Sequence, residues 1–389
     1  MVSSGITSGA GAALPEKSDG GSLSAAGNAS DVPYRWIINP TFDLLFVAGG
    51  AFFLLVAINY LCLGMKVAAY DPRYPLGATS LLFVIAFLAV HALGDSHIFA
   101  TFMRIWSCPE DKKRFAFYRV WLTAVLIPLF IIGMNSAVFT GALLSIFLLT
   151  AFWHWTTQAF GISLIYCQKH GYSMTAFERD AFRWFMRGLA GYFIIRMLVF
   201  PDRYVPSNFA AVPVTKFPAL PEPVHAIASW ALILVVSAFV AITLRKLVTE
   251  RKFPPLPVLS MIAVICCFGF AEDRESMLIW FYGPAFFHGS QYLAVTLSYH
   301  LKQQGLPEGM PTSQISRLMF GLPGLKYMAI AIAGGIVLYV GIPAISALFG
   351  YDRIMVLGLV FSLLSLHHII TDAAIWRLRD PQCRRLLIS

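Results

Sequence analysis

The sequence is short of charge, and it lacks the compact motifs by which many soluble enzymes are recognised. Only 13% of its residues are Asp, Glu, Lys or Arg, about half the share of an ordinary soluble domain. With 58% of the residues hydrophobic, a soluble fold would have too little polar surface to cover its apolar side chains. No GxGxxG, P-loop lysine motif, GxSxG, HExxH or CxxCH is present, which removes support from nucleotide-driven transport, serine hydrolysis and c-type haem attachment. The six cysteines (Cys62, Cys108, Cys167, Cys266, Cys267 and Cys383) show neither a CxxC pair nor a disulfide-framework spacing. They read as small hydrophobes. Residues 1–35 are rich in Gly, Ser and Ala and lack the basic and apolar regions of a signal peptide. A disordered cytoplasmic tail is expected there.

What is present is a series of apolar runs. Leu44 to Leu63, Ala137 to Trp153 and Ala329 to Leu348 approach the ~20 residues with which a helix crosses ~30 Å of hydrocarbon. Breaks at Pro, Gly and charge clusters predict ten helices, near 41–64, 78–104, 116–135, 138–166, 179–200, 225–247, 255–270, 276–301, 324–349 and 354–378. The expected fold is all-α: a polytopic transmembrane helical bundle of about ten spans, with 36–389 as one domain. In the fifth helix Arg179, Arg183 and Arg187 recur every four residues, a basic stripe expected to lie partly in the interface.

A net charge of +9 would point to nucleic acid in a soluble protein. Here the basic residues sit in short loops between spans and report orientation instead. Ten spans place 22 of the 29 Lys and Arg on the side of both termini and 7 on the other. Both termini are therefore expected in the cytoplasm, and the chain in the cell inner membrane as a multi-pass protein, with no nucleic-acid partner.

Ionisable groups deep in apolar runs are functional candidates, because burying them unpaired in hydrocarbon is costly. Five histidines lie so, each with a polar companion a helical turn away: His91 with Asp95, His154 with Gln158, His288 with Gln291, and the pair His367–His368 with Asp372. Spacings of three or four put both members on one helix face. The four helices are even-numbered and run in one direction. Each histidine lies about eight residues before its helix end, ~12 Å below the cytoplasmic interface. One shared depth predicts one shared site. His97 lies about 200° from Asp95 on an ideal helix and joins only if Gly94 lets the helix bend. Tyr292, four residues after His288, is a candidate proton donor and catalytic residue. His91, Asp95, His97, His154, Gln158, His288, Gln291, His367, His368 and Asp372 are the candidate metal-holding residues. Trp153 and Trp155, and Phe286, Phe287 and Tyr292, either line an apolar substrate or form ordinary core and interfacial belt. Arg104, Lys112, Lys113 and Arg114, and later Arg377 and Arg379, read as orientation signal and anionic-lipid contact, or as a mouth for an anionic head group.

The stretches GDSHIFATFMR, FWHWTTQAFG, FFHGSQYLAVTLSYH and HHIITDAAIWRLRD resemble signatures of a bacterial family of uncharacterised polytopic membrane proteins. That likeness spans most of 36–385 and implies no activity. Histidines inside the membrane near its cytoplasmic face are similar in type to those of the polyhistidine di-iron desaturases, hydroxylases and oxygenases. That class carries HxxxH or HxxxxH followed by two HxxHH boxes, whereas here His91 and His97 are six apart and the only HH is His367–His368. Asp95, Asp372, Gln158 or Gln291 would have to fill ligand positions.

These observations lead first to a metal-dependent membrane oxidoreductase, with iron as the expected metal, acting on a lipid or other apolar substrate such as an isoprenoid. No soluble redox domain is evident, so an external reductase or ferredoxin would supply electrons. Haem binding for electron transfer and proton- or cation-coupled transport are the open alternatives.

Overall fold

The computed structural model describes residues 34–57, 88–209, 211–271, 283–307 and 310–388. The expected tail, the second half of the first predicted helix, and the leading parts of the second and eighth lie largely outside the described residues. The described residues belong to one compact unit and are almost wholly helical. Its longer helices are α1 (Gly50–Ala57), α2 (Ser96–Ile105), α3 (Thr123–Met134), α4 (Ala137–Lys169), α5 (Ala176–Val199), α6 (Glu222–Glu250), α7 (Leu256–Phe270), α8 (Ser290–Gln304), α9 (Leu322–Ile336), α10 (Ile342–Leu348), α11 (Arg353–Ile375) and α12 (Pro381–Ile388).

Local chemistry sets many of the ends. Ser136 accepts the Phe139 N–H at the start of α4 and Asp352 that of Met355 at the start of α11, each satisfying a donor that the first turn leaves open. α5 opens with a reciprocal capping box between Thr175 and Glu178. Among the described residues five helices are long and apolar enough to cross a membrane: Phe117–Met134, Ala137–Lys169, Glu222–Glu250, Leu322–Leu348 and Arg353–Ile375. Pro40–Val47 and Gly50–Ala57 make a sixth only if counted together, because the chain bends 63° between them. Gly49 sits at the bend with φ +88°, and a Cβ there would meet Val264 at 2.6 Å. Only glycine satisfies both demands at no steric cost.

The amphipathic logic is that of a membrane protein. On α6 only Ala228, Thr243 and Lys246 are fully buried; Leu232, Val236 and Phe239 pack against the core, while Trp230, Leu234 and Val248 face outward, whereas α4 and α11 bury residues along their whole length. Among the described residues five segments widen into π-turns, at Asp43–Val47, Val90–Asp95, Phe117–Leu122, Ala285–Gly289 and Val337–Gly341. A two-stranded hairpin, Asn208–Phe209 with Val212–Pro213, packs against α4 and α11, where Gly141 and Gly358 leave space for Pro213 and Val212. α4 and α11 are thus central, and α2 and α8 complete the group around which the polar interior forms.

Candidate metal centre

Four histidines from four helical segments meet at one point. α2 brings His97, α4 His154, the π-turn leading into α8 His288, and α11 His368, and all four are buried. His154 Nε2 and His368 Nε2 lie 2.9 Å apart. Asp372, one turn beyond His368, directs Oδ2 at both, 3.7 Å from His154 Nε2 and 3.6 Å from His368 Nε2. His97, His288 and His368 offer ring nitrogens within 4.8 Å of one another, and so do the ligand atoms of His154, His368 and Asp372. Because His368 belongs to both groups, they form one centre.

Two of these histidines adjoin wide turns. Val90–Asp95 and Ala285–Gly289 are π-helical, and one extra residue per turn rotates all that follows by roughly 100° on an α-helical scale. That rotation carries His97 inward, where an ideal helix would turn it away from Asp95. Its Nδ1–H donates to Gly94 O. Close approach makes this possible: a Cβ at Gly289 would meet Leu93 O at 2.4 Å and His97 Nδ1 at 3.3 Å. Behind α2, a Cβ on Gly335 would come within 3.0 Å of Asp95 and Ser96 backbone, the small-residue contact by which membrane helices pack closely.

Hydrogen bonds fix where the ring protons sit. Tyr292 donates to Asp372 Oδ1 at 2.9 Å, so its oxygen accepts from the Thr101 hydroxyl at 2.8 Å. Thr101 Oγ1 in turn accepts from His368 Nδ1 at 2.7 Å. His368 thereby carries its proton on Nδ1 and presents a bare Nε2 lone pair to His154 and Asp372. In His97 the carbonyl of Gly94 does the same. His154 Nε2 and His368 Nε2 are at hydrogen-bonding distance of each other, and with the Asp372 carboxylate oxygen beside them these atoms could hold a cation; His288 Nδ1 is buried without a hydrogen-bond partner. Two imidazole nitrogens at ~2.1 Å from a metal and at about a right angle stand roughly 3 Å apart, which matches His154 and His368.

The other candidate residues lie around this centre or away from it. Asp95 bonds His91 Nδ1 at 2.5 Å and lines the cavity beside the imidazoles. His367 points elsewhere, bonding Tyr118 O at 3.1 Å and Thr123 at 3.2 Å and stacking on Phe102. Gln158 donates to His288 O and to Gln291 Oε1, and Gln291 donates to Val47 O. The two amides therefore tie α4, α8 and the first π-turn together. His300 packs on Tyr327, His170 on Trp36, and His225 on Phe200, all apart from the centre. Thr101 did not emerge as a candidate, although a signal was present: it lies four residues after His97, on the same face.

The centre has two unlike sides. Toward the earlier residues of the four segments, a cavity of about 60 Å³ is lined by apolar groups such as Val90, Ile98, Phe147, Ala151 and Phe361. Toward the later residues the neighbours are aromatic and charged. Tyr292 and Tyr299 both pack on Trp376. Arg104, only 5% exposed, donates to Tyr299 at 3.0 Å and pairs with Asp111 at 2.5 Å. Burial would raise the Asp111 carboxyl, but hydrogen bonds from Gln303, Cys108 and Ser107 and the Arg104 charge hold it below the usual carboxylate range.

Comparison with protein-family models, curated proteins and solved structures finds no match to this chain. What the site does must be argued from its own geometry.

Proposed function

We propose that the protein is a multi-pass inner-membrane oxidoreductase of about ten spans, with both termini cytoplasmic, whose centre holds a transition metal and acts on a lipid or isoprenoid chain. The observation that carries this reading is the convergence of the bare His368 Nε2 with His154 and the Asp372 carboxylate, flanked by His97 and His288. Four imidazoles and one carboxylate suit a single first-row ion, iron above all. The likeness to the polyhistidine di-iron class is one of site type, and this donor set is smaller than that class uses.

Bound iron would supply one-electron and oxygen chemistry. The chain supplies the rest. His97, His154, His288, His368 and Asp372 hold the ion. Thr101 and Tyr292 fix the His368 tautomer, and Tyr292, bonded to Asp372, is a proton donor beside the centre. The apolar cavity excludes water and admits the reacting segment of an apolar chain; at about 60 Å³ it has room for a few atoms and not for a whole lipid. Electrons come from an external reductase or ferredoxin. Bis-histidine haem would need its two axial nitrogens about 4 Å apart across a flat pocket, so a separation of 2.9 Å favours a bare ion. The apolar lining opposite the polar side supports transport less than it supports chain binding.

Metal analysis with an absorption spectrum of detergent-purified protein tests this. Near-stoichiometric iron, or another first-row metal, without a Soret band is expected. Metal-free protein that binds none when supplied, or a haem spectrum, would overturn it.

A further inference from the structure

A second polar feature lies on the outer face of the bundle, between α4 and α5. A groove of about 180 Å³ is lined by Trp153, Thr157 and Phe160 of α4 and by Arg183, Met186 and Arg187 of α5. The two helices run antiparallel, as the paired rings show: Phe160 meets Phe182 and, further along, Phe152 meets Phe193. Arg183 lies over Phe160, its guanidinium carbon 5.7 Å from the ring centre, so it is level with Phe160. α4 is long and apolar enough to cross a membrane. The apolar residues of α4 continue past Phe160 to Cys167, so Arg183, level with Phe160, and Arg187, one turn further from that end, both lie alongside the apolar part of the span.

A guanidinium at that depth is costly unless an anion accompanies it. Arg183 has Asp180 of its own helix as a partner. Arg187 is exposed, and its contact among the described residues is the face of Trp184, 5.3 Å away. Trp153, 42% exposed, and Phe160 line the groove, and Trp184, 59% exposed, lies under the Arg187 guanidinium. The groove is several times the ~30 Å³ that one water occupies in the liquid. It combines a planar donor fork for a phosphate with aromatic walls for the glycerol and upper acyl carbons.

We propose that this groove binds the phosphate of an anionic phospholipid, held by Arg187 with Arg183 and walled by Trp153 and Phe160. The site is separate from the metal centre: His154 points inward from α4 while Trp153 and Thr157 point outward. Its role is to fix a lipid at the outer wall of the helix that carries His154.

The test uses the full chain in nanodiscs of phosphatidylcholine doped with phosphatidylglycerol, with co-purified lipid counted by mass spectrometry after transfer to mild detergent. The wild type should retain phosphatidylglycerol over phosphatidylcholine, and Arg183→Gln/Arg187→Gln should lose that preference by roughly tenfold or more. Arg179→Gln, on the same helix outside the groove, should keep it. Arg187→Gln alone, with helical content and metal content checked, serves if the double variant folds poorly, and should lose a large part of it. Equal retention of phosphatidylglycerol by wild type and both groove variants would overturn the proposal. So would equal retention of the two lipids by wild type, or displacement of the lipid by millimolar inorganic phosphate, which would make this a free-phosphate site. Metal content unchanged in every groove variant separates this outcome from the fate of the oxidoreductase reading.

Discussion

Asp43 and Asp372 are both buried, and each accepts a hydrogen bond from a tyrosine, Tyr166 at 2.7 Å and Tyr292 at 2.9 Å. They differ in what meets the rest of the carboxylate. Asp43 also accepts the N–H groups of Ile37 at 2.6 Å and Ile38 at 3.0 Å, so protein donors close it on both oxygens. Asp372 turns Oδ2 to two imidazole nitrogens at 3.6 and 3.7 Å, beyond hydrogen-bonding distance. A buried acid is therefore no mark of function by itself. An acid left open toward two imidazole nitrogens is instead the one on which the proposed metal centre rests.

The largest effect expected from this contrast lies at the closed acid. Asp43→Ala strands two backbone N–H groups and the Tyr166 hydroxyl, and should cost roughly 3 kcal/mol or more of stability. Thermal unfolding in detergent would show this as a lower Tm, while metal per folded molecule stays at the wild-type value. Loss of metal from a stably folded Asp43→Ala protein would break the distinction between the two acids.

His367 and His368 sharpen it within one dipeptide. His368→Ala should weaken metal binding by more than the ~100-fold typical of losing an outer-sphere partner, with little change in fold. His367→Ala should keep the metal and lose the tie to Tyr118 and Thr123, about 1–2 kcal/mol. Competition with a chelator measures the first and thermal unfolding the second.

Smaller again is the effect of removing charge or the hydroxyl chain. Asp372→Asn should lower metal affinity about 10 to 100-fold, read by the same chelator competition. Tyr292→Phe, which leaves Asp372 in place but frees the His368 tautomer, should cost about tenfold or less. Full metal content in both would show that Asp372 is as closed as Asp43.

Much of this architecture was legible in the sequence. Helices expected near 116–135, 138–166, 255–270 and 354–378 occupy Phe117–Met134, Ala137–Lys169, Leu256–Phe270 and Arg353–Ile375, because uninterrupted apolar runs and capping residues act locally. The pairing of His368 with Asp372 at four residues was legible for the same reason. The facing of individual rings was not. The choice of His368 over His367 depends on Tyr118 and Thr123 in another element. The inward turn of His97 depends on a π-turn that an ideal 3.6-residue period cannot represent. Gln158 and Gln291 have the spacing of ligand partners, yet they spend their amides on backbone carbonyls and on each other. The 63° bend at Gly49 places that glycine against Val264, more than 200 residues away in sequence.

The smallest effect belongs to the charged rim beyond Tyr299, where a third buried aspartate can be compared with the first two. Asp111 takes hydrogen bonds from Ser107, Cys108 and Gln303 and pairs with Arg104, and these hold its carboxyl below the ordinary range despite its burial. Asp380 is likewise lowered, first by the Cys383 N–H and then by Arg114. A carboxyl lowered by folding contributes stability that is complete above its unfolded value, near 4, and is lost as pH falls through the folded one. Between pH 8 and pH 5 both groups are ionised in either state, so neither gives any slope. Below about pH 4 the wild-type Tm should drop, and Asp111→Asn should start lower at neutral pH and lose part of that acid sensitivity, a difference of a few degrees. Thermal unfolding at pH 7 and pH 3.5 measures it. An identical pH profile in Asp111→Asn would show that the Arg104 pair contributes nothing to stability. It would then resemble the many exposed ion pairs whose measured worth is near zero, in spite of an arginine that is 5% exposed.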